Sequence, residues 1–353
     1  MDLQDDGLLG HTECLHCELL KNVLIFCSIE SMPHTFDAIT IGSAKIDVFL
    51  SVREANDCFR LNKETNELCV RSGQKIEVDR CSFLLGGNAA NVGVGLSRLG
   101  LKSAIYAEIG DDELSQKILK ALKKENVNTQ FLIQTKGEKA SFSIIINFKG
   151  ERTIFSEHVD RLHNFNFDDI STRSLYLTSL GHEWKKPYKK VFSFVKKTKC
   201  LLAFNPGTLQ IEAGYKAIAD VLSITDVLFL NKEEAIAISN IKYQISNIDD
   251  KNKSMEQLLN SLQKMGSKIV VITDGENGSY AIDEKGEIFT QDAIETKVIE
   301  KTGAGDAYST GFLSAILHEL SIKEALRRGA LNSVSVIAQV GAQAGLLDKN
   351  KIN

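Results

Sequence analysis

Lys297-Val298-Ile299-Glu300-Lys301-Thr302-Gly303-Ala304-Gly305-Asp306 runs from an apolar strand end through a Gly-rich turn into a helical pattern spanning Ala307 to His318. Glycines in such a turn let several backbone N–H groups converge on one spot, and the helix start adds positive potential there. Transfer of a phosphoryl group needs that arrangement, because negative charge must be stabilised as it moves. Asp306 stands where a carboxylate can take the proton of an attacking hydroxyl, with Gly303, Ala304 and Gly305 supplying the amides. The alternative is a tight turn with Asp306 as a helix cap. A phosphate loop ending in Lys-Ser/Thr does not fit, and Tyr308 occupies the place of the third glycine of a dinucleotide fingerprint.

Upstream of this segment, β-branched and other apolar runs recur at Asp37 to Ile41, Ser103 to Ile109, Lys199 to Phe204, Asp226 to Leu230 and Lys268 to Thr273. Between them lie amphipathic stretches at Ala89 to Leu99, Glu113 to Glu125, Pro187 to Lys197, Glu233 to Asn240 and Met255 to Met265. The alternation predicts an α/β fold, a mostly parallel sheet with helices on both faces. Two regions break the rhythm, Val48 to Phe83 and the pair Ser141 to Asn147 and Arg152 to Ser156 around Gly150. Their short alternating strands predict a small β lid formed from about 48–83 and 141–156. Asn247 to Ser254 is a polar, linker-like run inside the core, and no internal repeat is evident.

The 353 residues are 43% hydrophobic and 25% charged, enough for one large core. A formal net charge of -4, with Lys and Arg scattered among Asp and Glu, points away from nucleic acid as a partner. Val23 to Ile29 is far shorter than the ~20 residues of a membrane span. Seven cysteines, an odd number and widely spaced, suit a reducing cytoplasm. Cys14-Leu15-His16-Cys17, with His11 nearby, looks like half of a zinc site but has no second ligand pair at defined spacing. Residues 1–35 therefore read as an N-terminal extension, disordered or preceding the true start at Met32, ahead of a domain over 36–348.

Thr302-Gly303-Ala304-Gly305-Asp306 resembles the C-terminal signature of the ribokinase-like (PfkB) carbohydrate kinases. Gly86-Gly87-Asn88-Ala89-Ala90-Asn91, followed by Leu96-Ser97-Arg98-Leu99-Gly100, resembles that family's N-terminal signature, in the matching order and separation. The resemblance covers about Phe36 to Leu347 and implies a three-layer α/β/α core with a β lid over the active site. It implies that Asp47, in Gly42-Ser43-Ala44-Lys45-Ile46-Asp47, accepts hydrogen bonds from two sugar hydroxyls. Gly86 and Gly87 permit close backbone approach to substrate, and Asn88 and Asn91 offer amide groups beside it; turn and cap chemistry is the alternative. Arg152 is read either as a bidentate ligand for substrate oxygens or phosphate, or as an exposed hairpin arginine.

Asn231-Lys232-Glu233-Glu234 resembles the family's N-x-x-E motif, which implies that Asn231 and Glu234 organise Mg²⁺ through its water shell. An ordinary N-cap would use the same residues. Thr273-Asp274-Gly275-Glu276-Asn277-Gly278 corresponds to the nucleotide-binding turn of relatives, so Thr273, Gly275 and Gly278 are expected at the ATP phosphates and ribose; a plain hairpin turn is the alternative. Asn332 and the Gly341-Ala342-Gln343 loop correspond to segments that cover adenine. One departure is Glu300, where relatives commonly carry Asp next to an activating monovalent cation; reduced K⁺ dependence is the expectation.

Together these readings imply an ATP- and Mg²⁺-dependent kinase acting on a hydroxyl of a sugar or sugar derivative, in the cytoplasm and without membrane attachment, with a homodimer through the lid as the expected assembly. A nucleoside kinase is the nearest rival, and aromatics at 7% of the chain favour a sugar. A catalytically silent sugar-binding regulator on the same fold is the other alternative.

Overall fold

The computed structural model describes residues 35–52, 57–62, 64–65, 67–148, 151–157, 159–239 and 251–352. The Cys14–Cys17 motif and Gly150 lie outside the described residues. The strands, in chain order, are β1 (Phe36–Ile41), β2 (Lys45–Ser51), β3 (Phe59–Asn62), β4 (Glu67–Val70), β5 (Arg80–Gly86), β6 (Ser103–Tyr106), β7 (Glu108–Ile109), β8 (Ile133–Gln134), β9 (Phe142–Phe148), β10 (Glu151–Glu157), β11 (Thr172–Leu177), β12 (Leu201–Phe204), β13 (Val227–Asn231), β14 (Ile269–Thr273), β15 (Ser279–Ile282) and β16 (Ile288–Gln291).

Eight of these strands form the core sheet in the order β16-β15-β14-β13-β12-β11-β1-β6. The pairings from β6 to β14 are parallel, and β15 and β16 close one edge as antiparallel strands. A parallel sheet needs crossover helices, and its strands read as continuous apolar runs because both faces are covered. That is observed: Leu228 and Leu230 face a cluster with Leu175, Leu202, Val191 and Leu258, whereas Val227 and Phe229 face one with Tyr176, Phe312 and Leu326. Burying such side chains stabilises the sheet by roughly 1.5–3 kcal/mol each. The result is the three-layer α/β/α arrangement anticipated from the sequence.

A second sheet, β10-β9-β2-β5, stands apart from the core sheet. Register aligns Leu84, Asp47, Ser143 and Ser156 across it, so these four share one face. The adjacent row, Phe83, Val48, Ile144 and Phe155, points the opposite way.

Several elements differ from the sequence reading. The helix expected from Ala307 begins at Ala304, with Gly303 as its N-cap in the left-handed region (φ 81°). The helix expected from Met255 starts at Lys251, so the polar linker-like run supplies its first turn. Ser103 to Ile109 is two strands, β6 on the core sheet and β7 paired with β8. β11, inserted between β1 and β12, was not anticipated, because Thr172-Arg173-Ser174 interrupts the apolar run. Arg173 ion-pairs with Asp37 instead. The body extends past residue 348: Ile352 is buried, and Lys349 N–H donates to Arg98 O at 3.1 Å.

Candidate active site

The C-terminal ends of the parallel strands gather the chemistry-bearing residues, the edge at which open α/β sheets bind ligands. Asn231 and Thr273 are register partners there. Two helices start close by: Asn88–Arg98, after β5, and Ala304–Leu317, after the Gly-rich turn.

Asp306 is the third residue of the Ala304–Leu317 helix and is buried. Its Oδ2 accepts a 2.8 Å hydrogen bond from Asn91 Nδ2, and Asn91 Oδ1 in turn accepts one of 2.9 Å from Gln343 Nε2. Burial, reinforced by the nearby Asp47 carboxylate, pushes the Asp306 carboxyl up to about 7, although Asn91 and Lys45 pull it down. A carboxylate poised there can hold or release a proton near neutral pH. The first N–H groups of a helix have no partner within it. Ala304 N–H leans on Lys301 O at 3.3 Å, and Gly305 faces open space, with no atom within 4 Å of the position a Cβ would take. Gly303 is held close against the Gly341 loop: a Cβ there would stand 2.5 Å from that of Ala342.

Asp47 projects from β2 beside Gly86, where a Cβ would meet its Oδ2 at 2.0 Å. Burial raises its pKa, offset partly by Lys45 and by a hydrogen bond from Ser143. Asp47 Oδ1 is buried and has no hydrogen-bond partner. A buried acceptor left unmatched costs free energy, so this oxygen is suited to a ligand hydroxyl. The polar row continues outward, with Ser143 and Ser156 hydroxyls 3.1 Å apart and Lys45 Nζ donating to Ser156 Oγ at 3.3 Å. Lys45, Ser143 and Ser156 were not singled out in the sequence. The available signal for Lys45 was its position two residues before Asp47 on one strand, which puts both on one face.

The remaining expected residues divide. Gly87, with φ 94°, starts the Asn88–Arg98 helix, and Asn88 Nδ2 donates to Thr178 Oγ1 at 3.4 Å. Arg152 is not a free hairpin side chain: its Nη1 donates to Glu300 Oε1 at 3.2 Å and Thr302 Oγ1 at 2.7 Å. The adjacent buried carboxylate explains its orientation. Asn231 and Glu234 form a reciprocal cap, Glu234 N–H to Asn231 Oδ1 at 2.8 Å and Asn231 N–H to Glu234 Oε2 at 2.9 Å. Burial raises the Glu234 pKa. Thr273 to Gly278 is the hairpin connection between β14 and β15, closed by Asp274 N–H to Gly278 O at 2.8 Å. Lys232 Nζ reaches Asp274 Oδ2 at 2.8 Å and so ties this turn to the Asn231 segment.

The Asn332 side chain turns into the fold. It is fully buried, with Nδ2 donating to Ala307 O at 2.7 Å and Oδ1 accepting from Leu347 N–H at 2.9 Å, and it braces the helix that carries Asp306. The Gly341 to Gln343 loop likewise packs on Gly303 and Asn91. Glu300 is buried, its Oε1 accepting from Thr302 N–H at 2.7 Å as well as from Arg152, while Oε2 has no hydrogen-bond partner. Among the described residues no group of three His, Cys, Asp or Glu is placed to hold a metal, and no helix is long and apolar enough to cross a membrane.

The site thus sets a buried, near-neutral carboxylate beside an open helix start and close to an aspartate with an unmatched oxygen. The chain belongs to the pfkB family of carbohydrate kinases, whose model matches residues 49–350. It is thus an ATP-dependent carbohydrate kinase. It is 28% identical over 324 residues to the 5-dehydro-2-deoxygluconokinase of Listeria monocytogenes, covering 86% of this chain and 90% of that protein. Over 294 residues it is 23% identical to the ATP-dependent 6-phosphofructokinase of Thermoanaerobacterium thermosaccharolyticum, covering 79% and 87%. The fold is similar to that of Arabidopsis thaliana ribokinase complexed with ribose and ATP (TM-score 0.72, 18% identity, 90% of this chain and 97% of that one). It is also similar to that of the nucleoside kinase of Methanocaldococcus jannaschii (TM-score 0.71, 22% identity, 91% and 98%).

Proposed function

We propose that Asp306 is the general base of the reaction and that the Gly303 to Gly305 amides form the anion hole. The observation that carries this reading is the Asp306 carboxyl, pushed up to about 7 by burial and held by Asn91 at 2.8 Å, one residue from the open space over Gly305. The acceptor hydroxyl gives its proton to Asp306 as its oxygen attacks the γ-phosphorus in line, and the bond to the ADP oxygen breaks. Asp47, with its unmatched Oδ1, holds neighbouring hydroxyls of the acceptor; Gly86, Gly87, Asn88 and Asn91 shape the same pocket. The β2, β5, β9 and β10 sheet acts as the lid.

Asn231 and Glu234 present oxygen donors, which suit Mg²⁺ and its water shell, and their mutual cap leaves Glu234 Oε1 for that shell. Mg²⁺ would neutralise phosphate charge there. The open side of the Thr273 to Gly278 turn, at Gly275, takes the ATP phosphates and ribose.

The acceptor is a sugar or sugar derivative, and the deoxygluconate type phosphorylated by the Listeria relative is the first to test. Lys45, in the polar row beside Asp47, suits an acceptor with an acidic group. The enzyme is assigned to the cytoplasm. Its assembly is a homodimer through the outer row of the small sheet, in which Phe83 is 46% and Phe155 57% exposed.

A phosphorylation screen over ribose, fructose, keto-deoxygluconates and nucleosides with MgATP tests the assignment, with Asp306→Asn as control. Loss of the base should lower kcat by about 10²–10⁴ while ATP still binds. Activity of the variant within about threefold of wild type would remove Asp306 from the role.

A further inference from the structure

The geometry points to Arg152 as a positioning residue: a fixed cation, carried by the small sheet, that braces the Glu300–Thr302 turn and through it the amides from Gly303 onward. The inference rests on the anion-hole reading above. Arg152 is on β10 and Glu300 ends the segment before the Gly-rich turn, 148 residues later in the chain, yet their side chains meet at 3.2 Å. The Glu300 side chain is only 1% exposed, that of Arg152 36%. Within this contact one carboxylate oxygen gathers three donors: Thr302 N–H at 2.7 Å, Thr302 Oγ1 at 2.5 Å and Arg152 Nη1. The same Nη1 donates to Thr302 Oγ1 at 2.7 Å and so closes a triangle.

Three features make this more than a surface ion pair. Glu300 is buried, and a buried carboxylate without a counter-charge is strongly disfavoured. No other ion pair of Glu300 is found among the described residues, so Arg152 is its counter-charge. The turn being braced leads directly into Gly303, which is already fixed on its other side by Ala342. Removing the guanidinium leaves a buried negative charge two residues from Thr302 and three from Gly303, and repels the phosphoryl group the amides must receive. Because Arg152 is carried by β10, the brace ties the turn to the small sheet.

The remaining oxygen, Glu300 Oε2, is buried and unpartnered. If a free cation supplied the charge there, the wild-type enzyme would need that cation. If Arg152 supplies it, only the variant without the guanidinium would.

The test compares wild type, Arg152→Lys, Arg152→Ala and Arg152→Ala/Glu300→Gln in tetramethylammonium buffer, with KCl or guanidinium chloride added back. Arg152→Ala should lose about 10²-fold in kcat, as expected for a misplaced reacting group, with KM for the sugar changed less than about threefold. Small cations should restore it by about tenfold or more, wild type should respond less than about twofold, and Arg152→Lys should retain most activity. Thermal unfolding gives an activity-independent readout: K⁺ or guanidinium should raise the midpoint of Arg152→Ala more than that of wild type. The double variant, having no buried charge to balance, should be less impaired than Arg152→Ala and lose the cation response; it also serves if the single variant folds poorly. Overturning results are a wild-type enzyme activated more than about tenfold by K⁺, an Arg152→Ala kcat within about threefold of wild type, a loss unrestored by any cation, or a loss confined to sugar KM. Wild type inactive on every acceptor would instead strike the kinase reading, and the thermal comparison would still judge the brace.

Discussion

Asn91 Nδ2 lies 2.8 Å from Asp306 Oδ2, joining the two helix starts of the active site across 215 residues of chain. The amide cannot turn freely, because Gln343 Nε2 holds Asn91 Oδ1 at 2.9 Å. This bond lowers the Asp306 pKa against a larger effect of burial that raises it, and the balance falls at about 7.

A pH profile reads this balance. With ionised Asp306 as base, kcat/KM should rise with unit slope below about 7 and level off above it. Asn91→Ala removes a donor to a charged acceptor, worth about 1.5–3 kcal/mol, so the acidic limb should move by ~1–2 pH units to the alkaline side. Gln343→Ala, which frees the amide without deleting it, should shift the limb in the same direction by less. An unmoved limb in Asn91→Ala would mean that the amide does not tune the base.

Gly86 supplies a steric test of the acceptor site. Its substituent position is 2.0 Å from Asp47 Oδ2, so Gly86→Ala must push the carboxylate out of place without removing it. The variant should reproduce the phenotype of Asp47→Ala: KM for the sugar raised at least about tenfold, KM for ATP within about twofold of wild type. Asp47→Ala with an unchanged KM for every acceptor would remove Asp47 from sugar binding.

One row of the small sheet runs Phe155, Ile144, Val48, Phe83, with an exposed phenylalanine at each end and half-buried Ile144 and Val48 between them. Exposed large apolar side chains on a sheet edge favour association. Wild type is expected to be a dimer by light scattering. Phe155→Glu, placing a charge in that row, should shift it to monomer while leaving the far-UV spectrum unchanged. A wild-type monomer at micromolar concentration would refute the assembly.

Much of this site was legible because its residues sit in short, contiguous signatures: Thr302 to Asp306 and Gly86 to Asn91 each combine a glycine-dependent turn with a helix start. The apolar strands β1, β12, β13 and β14 announced themselves as both-face-buried runs. β11 did not, because Arg173 is tolerated in mid-sheet through its pairing with Asp37, a tertiary contact no local pattern contains. The brace between Arg152 and Glu300 was equally hidden, since its two halves are 148 residues apart. Asn332 shows the converse limit. The resemblance places it in a segment that covers adenine, but no local pattern foretold that both ends of its amide are spent on Ala307 O and Leu347 N–H inside the fold.

The base should also cost the protein stability, increasingly so as pH rises. Asp306 has a folded-state pKa of about 7, against an ordinary value of 3.8. Between those values the native state holds a proton that the unfolded state has lost, so stability falls as pH rises through this window and the full cost is present above about 7. Asparagine at 306 does not titrate, and its carbonyl can still accept from Asn91. Asp306→Asn should therefore match wild type near pH 4 and exceed it at pH 8, by as much as ~4 kcal/mol, because each pH unit between the two values contributes about 1.36 kcal/mol. Urea unfolding at pH 4, 6 and 8 measures the difference. A gap that fails to widen with pH would show that Asp306 ionises without strain, and would withdraw the near-neutral carboxylate on which its assignment as the base depends.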